Sequence, residues 1–270
     1  MWIFEEFPMN QPEILAVRYG TRKTEKSEIY YDYARYGEAD GEAVMDYYFW
    51  ILRDGTETIV IDTGFSAASG AARKRDTTIA PAAALARLGI DPASVRDVIL
   101  THAHYDHTGN LDLFPNALIT MSRTEYAFIS GPFADRVPLA VAMDSDDNRG
   151  IVRLHEAGRI KLVGPRHEFR PGVELIELPG HSPGQMSLVI ARPDGPVILS
   201  SDAVHYYEEL EKDRPFTVMS GLLDMYRSLD AIRVMRETPG AVLVPGHDPE
   251  VMRRFTLVDP ADPGFAVRIG

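Results

Sequence analysis

The chain has 270 residues, 45% of them hydrophobic and 25% charged, and a formal net charge of -12. That composition supplies a sizeable globular core and excludes a disordered chain, and the acidic balance excludes nucleic acid as the expected partner, because a phosphate backbone is held by clustered Lys and Arg. With no Cys in the chain, disulfides and thiolate metal ligands are excluded too.

The opening MWIFEEFPMNQPEILAV places Glu5 and Glu6 where a signal peptide carries a basic region. No stretch reaches the roughly 18 apolar residues of a membrane span. The expectation is a cytoplasmic protein without membrane contact. Residues 44–52 and 58–61 are β-prone runs joined by Arg53-Asp54-Gly55-Thr56, which predicts a hairpin. The chain then leaves the sheet at Asp62-Thr63-Gly64. A helix is predicted over 79–88, stopped by Gly89, with a short turn opened by Asp91-Pro92. The run VRDVILTH reads as a buried strand ending at Thr101, 117–121 as another strand, and 123–129 as a short helix. The segment from Gly131 to Gly150 mixes Pro, Gly and four Asp with apolar residues and is expected to be a loop or an irregular lid. Further strands are predicted at 173–178, 186–190, 196–200 and 241–245. Over 221–237 apolar residues recur at three- and four-residue steps, the pattern of a helix with one inward face. Two runs of strands, each with helices, suit a pair of face-packed sheets with helices outside.

The strongest chemical signal is THAHYDHTGN at 101–110, three His and one Asp within six residues at the end of an apolar strand. A lone His is usually a hydrogen-bonded structural group; this density is not. In extended chain, residues two apart project to the same side, so His102 and His104 face one metal ion together, and Asp106 and His107, past the turn, face a second. Matching contexts supply His181 after the 173–178 run, Asp202 after 196–200 and His247 after 241–245. Glycines beside His181 and His247 permit the tight turns such loops need. Imidazole and carboxylate without sulfur suit Zn²⁺, and would also accept Fe²⁺, Mn²⁺ or Co²⁺. Seven protein ligands for two ions leave positions open for water and substrate, as in a catalytic site.

On these residues the sequence resembles the metallo-β-lactamase superfamily, whose HxHxDH signature appears as His102, His104, Asp106 and His107. The resemblance runs from the strand before Asp62 to His247. It implies an α/β fold, the αββα sandwich of two packed mixed β-sheets with helices on the outer faces, over residues 1–270 as one domain. It also implies that His102, His104 and His181 bind the first of two divalent ions and Asp106, His107 and His247 the second, with Asp202 and a hydroxide bridging. Asp62 matches a strand-end Asp that orients a ligand His; a turn cap is the alternative.

Within the superfamily the missing Cys and the His at position 104 set aside other branches, and length, ligand spacing and the Ser201-Asp202-Ala203 segment are most similar to N-acyl homoserine lactonases. The implied reaction is hydroxide attack on a lactone carbonyl, a quorum-quenching activity, with Asp106 passing a proton to the leaving alkoxide. That family commonly has a Tyr three residues after the bridging Asp. Here the position is His205, followed by Tyr206 and Tyr207, so His205 or Tyr206 is expected to polarise the carbonyl. A thioesterase of the hydroxyacylglutathione hydrolase type shares the ligand set, and would be favoured by a basic cluster near the C-terminus, where none is seen. Another small-ester, cyclic-amide or organophosphate hydrolase is also open, whereas a non-catalytic scaffold is disfavoured because all seven ligand positions are filled. The expected partner is a small lactone or ester, and a homodimer is compatible with this reading. The aromatic residues Tyr30, Tyr31, Tyr33, Tyr36, Tyr47, Tyr48 and Trp50 read as core packing, with an acyl pocket as the alternative. His155 and His167 are assigned no role, and Glu208, Glu209, Glu211 and Asp213 read as a solvated surface run.

Overall fold

A computed structural model describes residues 12–55 and 57–270; the N-terminal run through residue 11, including Glu5 and Glu6, and Thr56 of the predicted hairpin turn lie outside the described residues. Two mixed sheets are present, one of nine strands and one of five. The first runs in the order Thr256–Leu257, Ala266–Ile269, Glu13–Glu25, Glu42–Asp54, Glu57–Ile61, Asp97–Ile99, Leu118–Ser122 and Ile160–Val163, with Asp76–Thr77 paired on Glu13–Glu25. The second runs Val242–Pro245, Val197–Ser201, Met186–Ile190, Val173–Glu177 and Arg166–Arg170.

Strand Glu42–Asp54 shows why its run is so apolar. Tyr48, Trp50 and Leu52 point into the core shared with Leu175, Leu188 and Ile190 of the second sheet. Tyr47, Phe49 and Ile51 point the other way, into a core shared with Ala84 and Leu85 of helix Pro81–Arg87 and with Ile151. Both faces are covered, so the period-two alternation of a half-exposed strand is lost. On the second sheet the 15-residue helix Leu222–Arg236 buries Met225, Leu229 and Ile232, the inward face its spacing predicts.

One expectation is corrected. The Gly131–Gly150 segment is irregular at 131–136 and 141–144 but carries the short helix Val137–Ala140 and the start of the 12-residue helix Ser145–Glu156. The Asp144 carboxylate accepts a hydrogen bond from the Asp146 backbone N–H and caps the second helix. The acidic residues that look like loop composition are therefore the first turn of a helix, where they complement its dipole.

Parallel pairing delivers the site. Glu57–Ile61, Asp97–Ile99 and Leu118–Ser122 run parallel, as do Val197–Ser201 and Val242–Pro245. Their C-terminal ends open into Asp62, His102, Asp202 and His247 along one edge of the sandwich, the end at which parallel sheets usually carry their ligands.

Candidate metal centre

The seven predicted ligands are brought together, all of them buried. Donor atoms of His102, His104 and His181 lie within 4.8 Å of one another, as do those of Asp106, His107 and His247. Asp202 sits between the two groups: its Oδ2 is 3.3 Å from His181 Nε2 and 3.0 Å from His247 Nε2, and its Oδ1 is 3.5 Å from His107 Nε2. Gly246 makes that approach available, since a Cβ there would lie 2.4 Å from Asp202 Oδ1. Gly180, before His181, has φ of 134° and packs against the Met225 backbone, a conformation and a closeness that exclude a side chain.

The rings of His102, His107, His181 and His247 are held from behind at Nδ1. His107 Nδ1 donates to Asp62 Oδ2 at 2.7 Å, and Asp62 also accepts from the Thr101 backbone N–H and hydroxyl, each at 2.8 Å. Asp62 thus stands as an orienting carboxylate for a ligand, held in the left-handed region at φ of 60°. His181 Nδ1 donates to Val218 O at 2.8 Å and His247 Nδ1 to Asp46 O at 2.7 Å. With the Nδ1 atoms engaged, the Nε2 atoms of His102, His107 and His181 are buried without a hydrogen-bond partner. A buried polar atom left unpaired costs roughly 1–3 kcal/mol, and a divalent cation compensates several at once. Burial and the neighbouring imidazoles hold His102 and His181 well below the usual histidine range and His104 down to about 4, so these rings are neutral, the form that binds metal. At His107 burial opposes the charge, but the Asp202, Asp62 and Asp106 carboxylates override it and raise the pKa well above the usual value. A site with that surplus of negative charge and unpaired imidazole nitrogen fits divalent metal ions.

Sequence reasoning missed Glu125. It is fully buried and accepts from Ala103 N at 3.0 Å, Gly184 N at 2.9 Å and the Ser182 hydroxyl at 2.5 Å. It thereby ties the His102–His104 turn to the loop carrying His181. Ser122 and Glu125 carry the spacing of a helix capping box, and Ser122 Oγ does accept from Glu125 N. The glutamate, however, is turned to the site instead of back to its own helix. Asp46 was missed as well; nothing in the aromatic run around it marks its carbonyl as the partner of His247.

His205 and Tyr206 part company. The His205 ring is buried, stacked on Phe216 at 3.7 Å, with Nε2 3.3 Å from Asp202 Oδ2 and Nδ1 3.3 Å from Glu209 Oε1. His181, Asp202 and His205 form a further group of close donor atoms. Burial opposes protonation of His205, and Asp202 and Glu209 outweigh it, pushing the pKa up to about 9. Tyr206 is not brought to the cluster: its hydroxyl donates to Val44 O at 3.2 Å, and it lines a separate cavity of about 960 Å³. Glu209 is no surface residue. It is fully buried and accepts from the backbone N–H groups of His205, Tyr206 and Phe216, which corrects the surface reading at that residue; Glu208 is half-buried, and Glu211 and Asp213 are exposed.

Over the cluster lies a cavity of about 310 Å³, floored by His104, Asp106, His181, Asp202 and His247, with Tyr47, Tyr105, Phe216, Val141 and arginines in its walls. Neither His205 nor Tyr206 is among its lining residues.

Comparison with known proteins places these features in context. The metallo-beta-lactamase superfamily model matches residues 45–247. The N-acyl homoserine lactonase AttM of Azorhizobium caulinodans is 31% identical over 180 residues, 62% of this chain and 64% of that protein. An N-acyl homoserine lactonase of a Bacillus species is 31% identical over 172 residues, 63% of this chain and 62% of that one. The match thus spans less than two thirds of either relative. A crystal structure of a quorum-quenching N-acyl homoserine lactone lactonase superposes with a TM-score of 0.71 at 22% identity, covering 90% of this chain and 95% of that one. An N-acyl homoserine lactone hydrolase with N-hexanoyl-L-homoserine at its metal centre gives a TM-score of 0.71 at 20% identity, over 93% of this chain and 98% of that one. At such identities the superpositions establish the fold.

Proposed function

The chain belongs to the metallo-beta-lactamase superfamily, and from that premise we propose that it is a dinuclear metal-dependent hydrolase that opens a lactone ring, with N-acyl homoserine lactones as the leading substrate class. The observation that carries this reading is the gathering of His102, His104, His181, Asp202, Asp106, His107 and His247 around buried, unpaired imidazole nitrogens at the floor of a cavity. The curated relatives that carry the lactonase name add to it.

His102, His104 and His181 would hold one ion and Asp106, His107 and His247 the other, with Asp202 shared; zinc is the preferred metal. Ions held there supply an activated water near neutral pH and polarise a carbonyl oxygen. The chain's own contribution is orientation and proton handling. Asp62 keeps His107 in the tautomer that presents Nε2 to the site, and the Val218 and Asp46 carbonyls do the same for His181 and His247. Asp106 lies on the cavity side with Oδ2 3.7 Å from His247 Nε2, where a carboxylate can take up a proton from the attacking water and hand it to the leaving oxygen of an opened ring. His205, lodged between Asp202, Glu209 and Phe216, acts as a positioning residue for Asp202. Tyr47 and Phe216 close the cavity with apolar surface that excludes water from the reacting carbonyl.

The test is proton release from N-acyl homoserine lactones of short and long chain, simple γ- and δ-lactones and S-lactoylglutathione, with zinc-loaded protein against a chelated control. Metal-dependent opening of the homoserine lactones well above the rest is expected. Turnover of the thioester alone would instead support the hydroxyacylglutathione hydrolase type, a reading that the cavity's arginines favour.

A further inference from the structure

We propose that Arg75 binds a negative charge on the substrate, so that the preferred compound is a lactone or ester whose acyl arm ends in a carboxylate; the proposal rests on the hydrolase reading above and narrows it. In a chain of net charge -12, the cavity over the cluster is lined by Arg22, Arg73 and Arg75, and its one carboxylate outside the cluster is Glu28. Two of the arginines are already engaged. Arg22 reaches Glu28 Oε2 at 3.1 Å and Thr24 Oγ1 at 2.7 Å. Arg73 donates to Ser69 Oγ at 2.7 Å and Met143 O at 2.6 Å, lies 3.8 Å from Asp144 and stacks over the Tyr105 ring at 4.3 Å.

Arg75 differs. Its Nε donates to the Tyr105 hydroxyl at 3.0 Å, and among the described residues no carboxylate lies within 4.0 Å of it. The groups that act on it electrostatically are the Tyr47 and Tyr105 hydroxyls and, after them, Asp106, a carboxylate the metal centre would claim. Engagement at Nε fixes the plane of the guanidinium of a side chain that lines the cavity, and its two terminal nitrogens, the fork that matches a carboxylate bidentately, have no hydrogen-bond partner among the described residues. The Tyr105 hydroxyl in turn donates to Tyr47 at 3.4 Å, and the Tyr47 ring stands edge-on to His247 at 5.2 Å. Arg75 is therefore set back from the metal ligands by two aromatic side chains. That separation suits the far end of a short acyl arm whose ester lies at the cluster. A neutral alkyl chain would leave the half-buried guanidinium without a counter-charge each time it displaced water from the cavity.

The test compares N-hexanoyl-homoserine lactone with N-adipoyl-homoserine lactone, which has the same six-carbon arm ending in a carboxylate, on zinc-loaded wild type, Arg75→Met and Arg75→Lys. Metal content per chain and thermal melting of each variant establish that the centre and the fold are retained. Wild type is expected to prefer the adipoyl compound by about 10- to 100-fold in kcat/KM, the span of one charge-assisted hydrogen-bonded pair, expressed mainly in KM. Arg75→Met should bring the ratio of the two substrates close to one, and Arg75→Lys should restore part of it. A wild-type preference for the hexanoyl compound, or an equal loss on both substrates in Arg75→Met, overturns the proposal, the latter leaving Arg75 as a support for Tyr105. If neither lactone opens, the lactonase reading fails by itself, and calorimetric titration with the ring-opened N-adipoyl- and N-hexanoyl-homoserine decides the proposal. Tighter adipoyl binding that Arg75→Met abolishes sustains it; equal binding refutes it.

Discussion

On the side of the cluster that faces the sandwich, Asp62, Thr101, Ser201 and the ring of His107 form one connected patch of buried hydrogen bonds, with distances of 2.7 to 2.9 Å. On the side that faces the cavity, the walls come from distant parts of the chain, Arg22, Tyr47, Arg75 and Phe216 among them, and their polar tips meet in separate sets, Arg22 with Glu28 and Arg75 with Tyr105 and Tyr47, at 3.0 to 3.4 Å. The lower side consists of short side chains on strand ends, which lose little entropy on being fixed and sit in a low dielectric where each bond is strong. The upper side uses long or aromatic side chains with room to adjust. The first arrangement suits chemistry that tolerates little displacement, and the second suits recognition, which changes with the compound recognised.

If that division is right, substitutions on the lower side remove metal and activity together, and those on the upper side alter selectivity. The largest effect is expected at Asp202, which reaches ligands of both groups. Asp202→Ala should lower bound metal to one ion per chain or fewer, measured by elemental analysis, and reduce kcat/KM by more than about 100-fold, beyond the range found for residues that only orient a ligand. Full metal content with normal activity would deny the shared position. Next comes Glu125→Ala, which leaves the N–H groups of Ala103 and Gly184 and the Ser182 hydroxyl without their acceptor. At about 1 kcal/mol per orphaned donor the loss is about 3 kcal/mol, a fall of roughly 6–12 °C in Tm for a chain of this size. An unchanged melting curve would mean that the two ligand loops do not depend on this clamp.

Asp62→Ala sharpens the same contrast at smaller size. It removes the acceptor of His107 Nδ1 but no ligand, so metal affinity should drop by roughly 10- to 100-fold while the ion remains bindable at excess metal. Loss that excess metal does not restore would make Asp62 a fold residue instead of an orienting one.

The same division explains what the sequence discloses. The ligands were legible because metal binding needs a few residue types, and strand-end context repeats at His102, His181, Asp202 and His247. Asp62 was pointed to only by the family resemblance, with a turn cap as the alternative. Glu125 was not, because a glutamate three residues after a serine at a helix start reads as a local cap, and only the tertiary fold turns it toward Ala103 and Ser182. Strand Glu13–Glu25 escaped because its first half, Ile14 to Val17, is buried on both faces and its second half carries Arg22, Lys23 and Glu25, so neither periodicity persists. Of the cavity walls only Tyr47 was legible, through the acyl-pocket alternative for the aromatic residues; Arg22, Arg75 and Phe216 meet it only after both sheets form, and no local pattern announces a meeting between residues so far apart.

Tyr206 gives the smallest expected effect and the clearest view of where the two sides end. The residues after Asp202 offer two candidates for polarising a carbonyl, and the fold sends them in opposite directions. The His205 ring turns under the cluster, while the Tyr206 hydroxyl turns out to Val44 O beside the larger cavity. Loss of a carbonyl donor from a hydrolytic site lowers kcat by about 10²–10³-fold. Loss of a single hydrogen bond whose acceptor can be taken over by water costs about 1 kcal/mol or less. Tyr206→Phe should therefore hold kcat/KM within about twofold and metal content unchanged, with Tm lower by about 4 °C at most. A hundredfold fall in turnover with the fold and metal intact would place the Tyr206 hydroxyl at the reacting carbonyl during catalysis. That result would require the 205–209 turn to rearrange, breaking the three backbone hydrogen bonds that Glu209 accepts, and the cost of breaking them is the reason the smaller effect is expected.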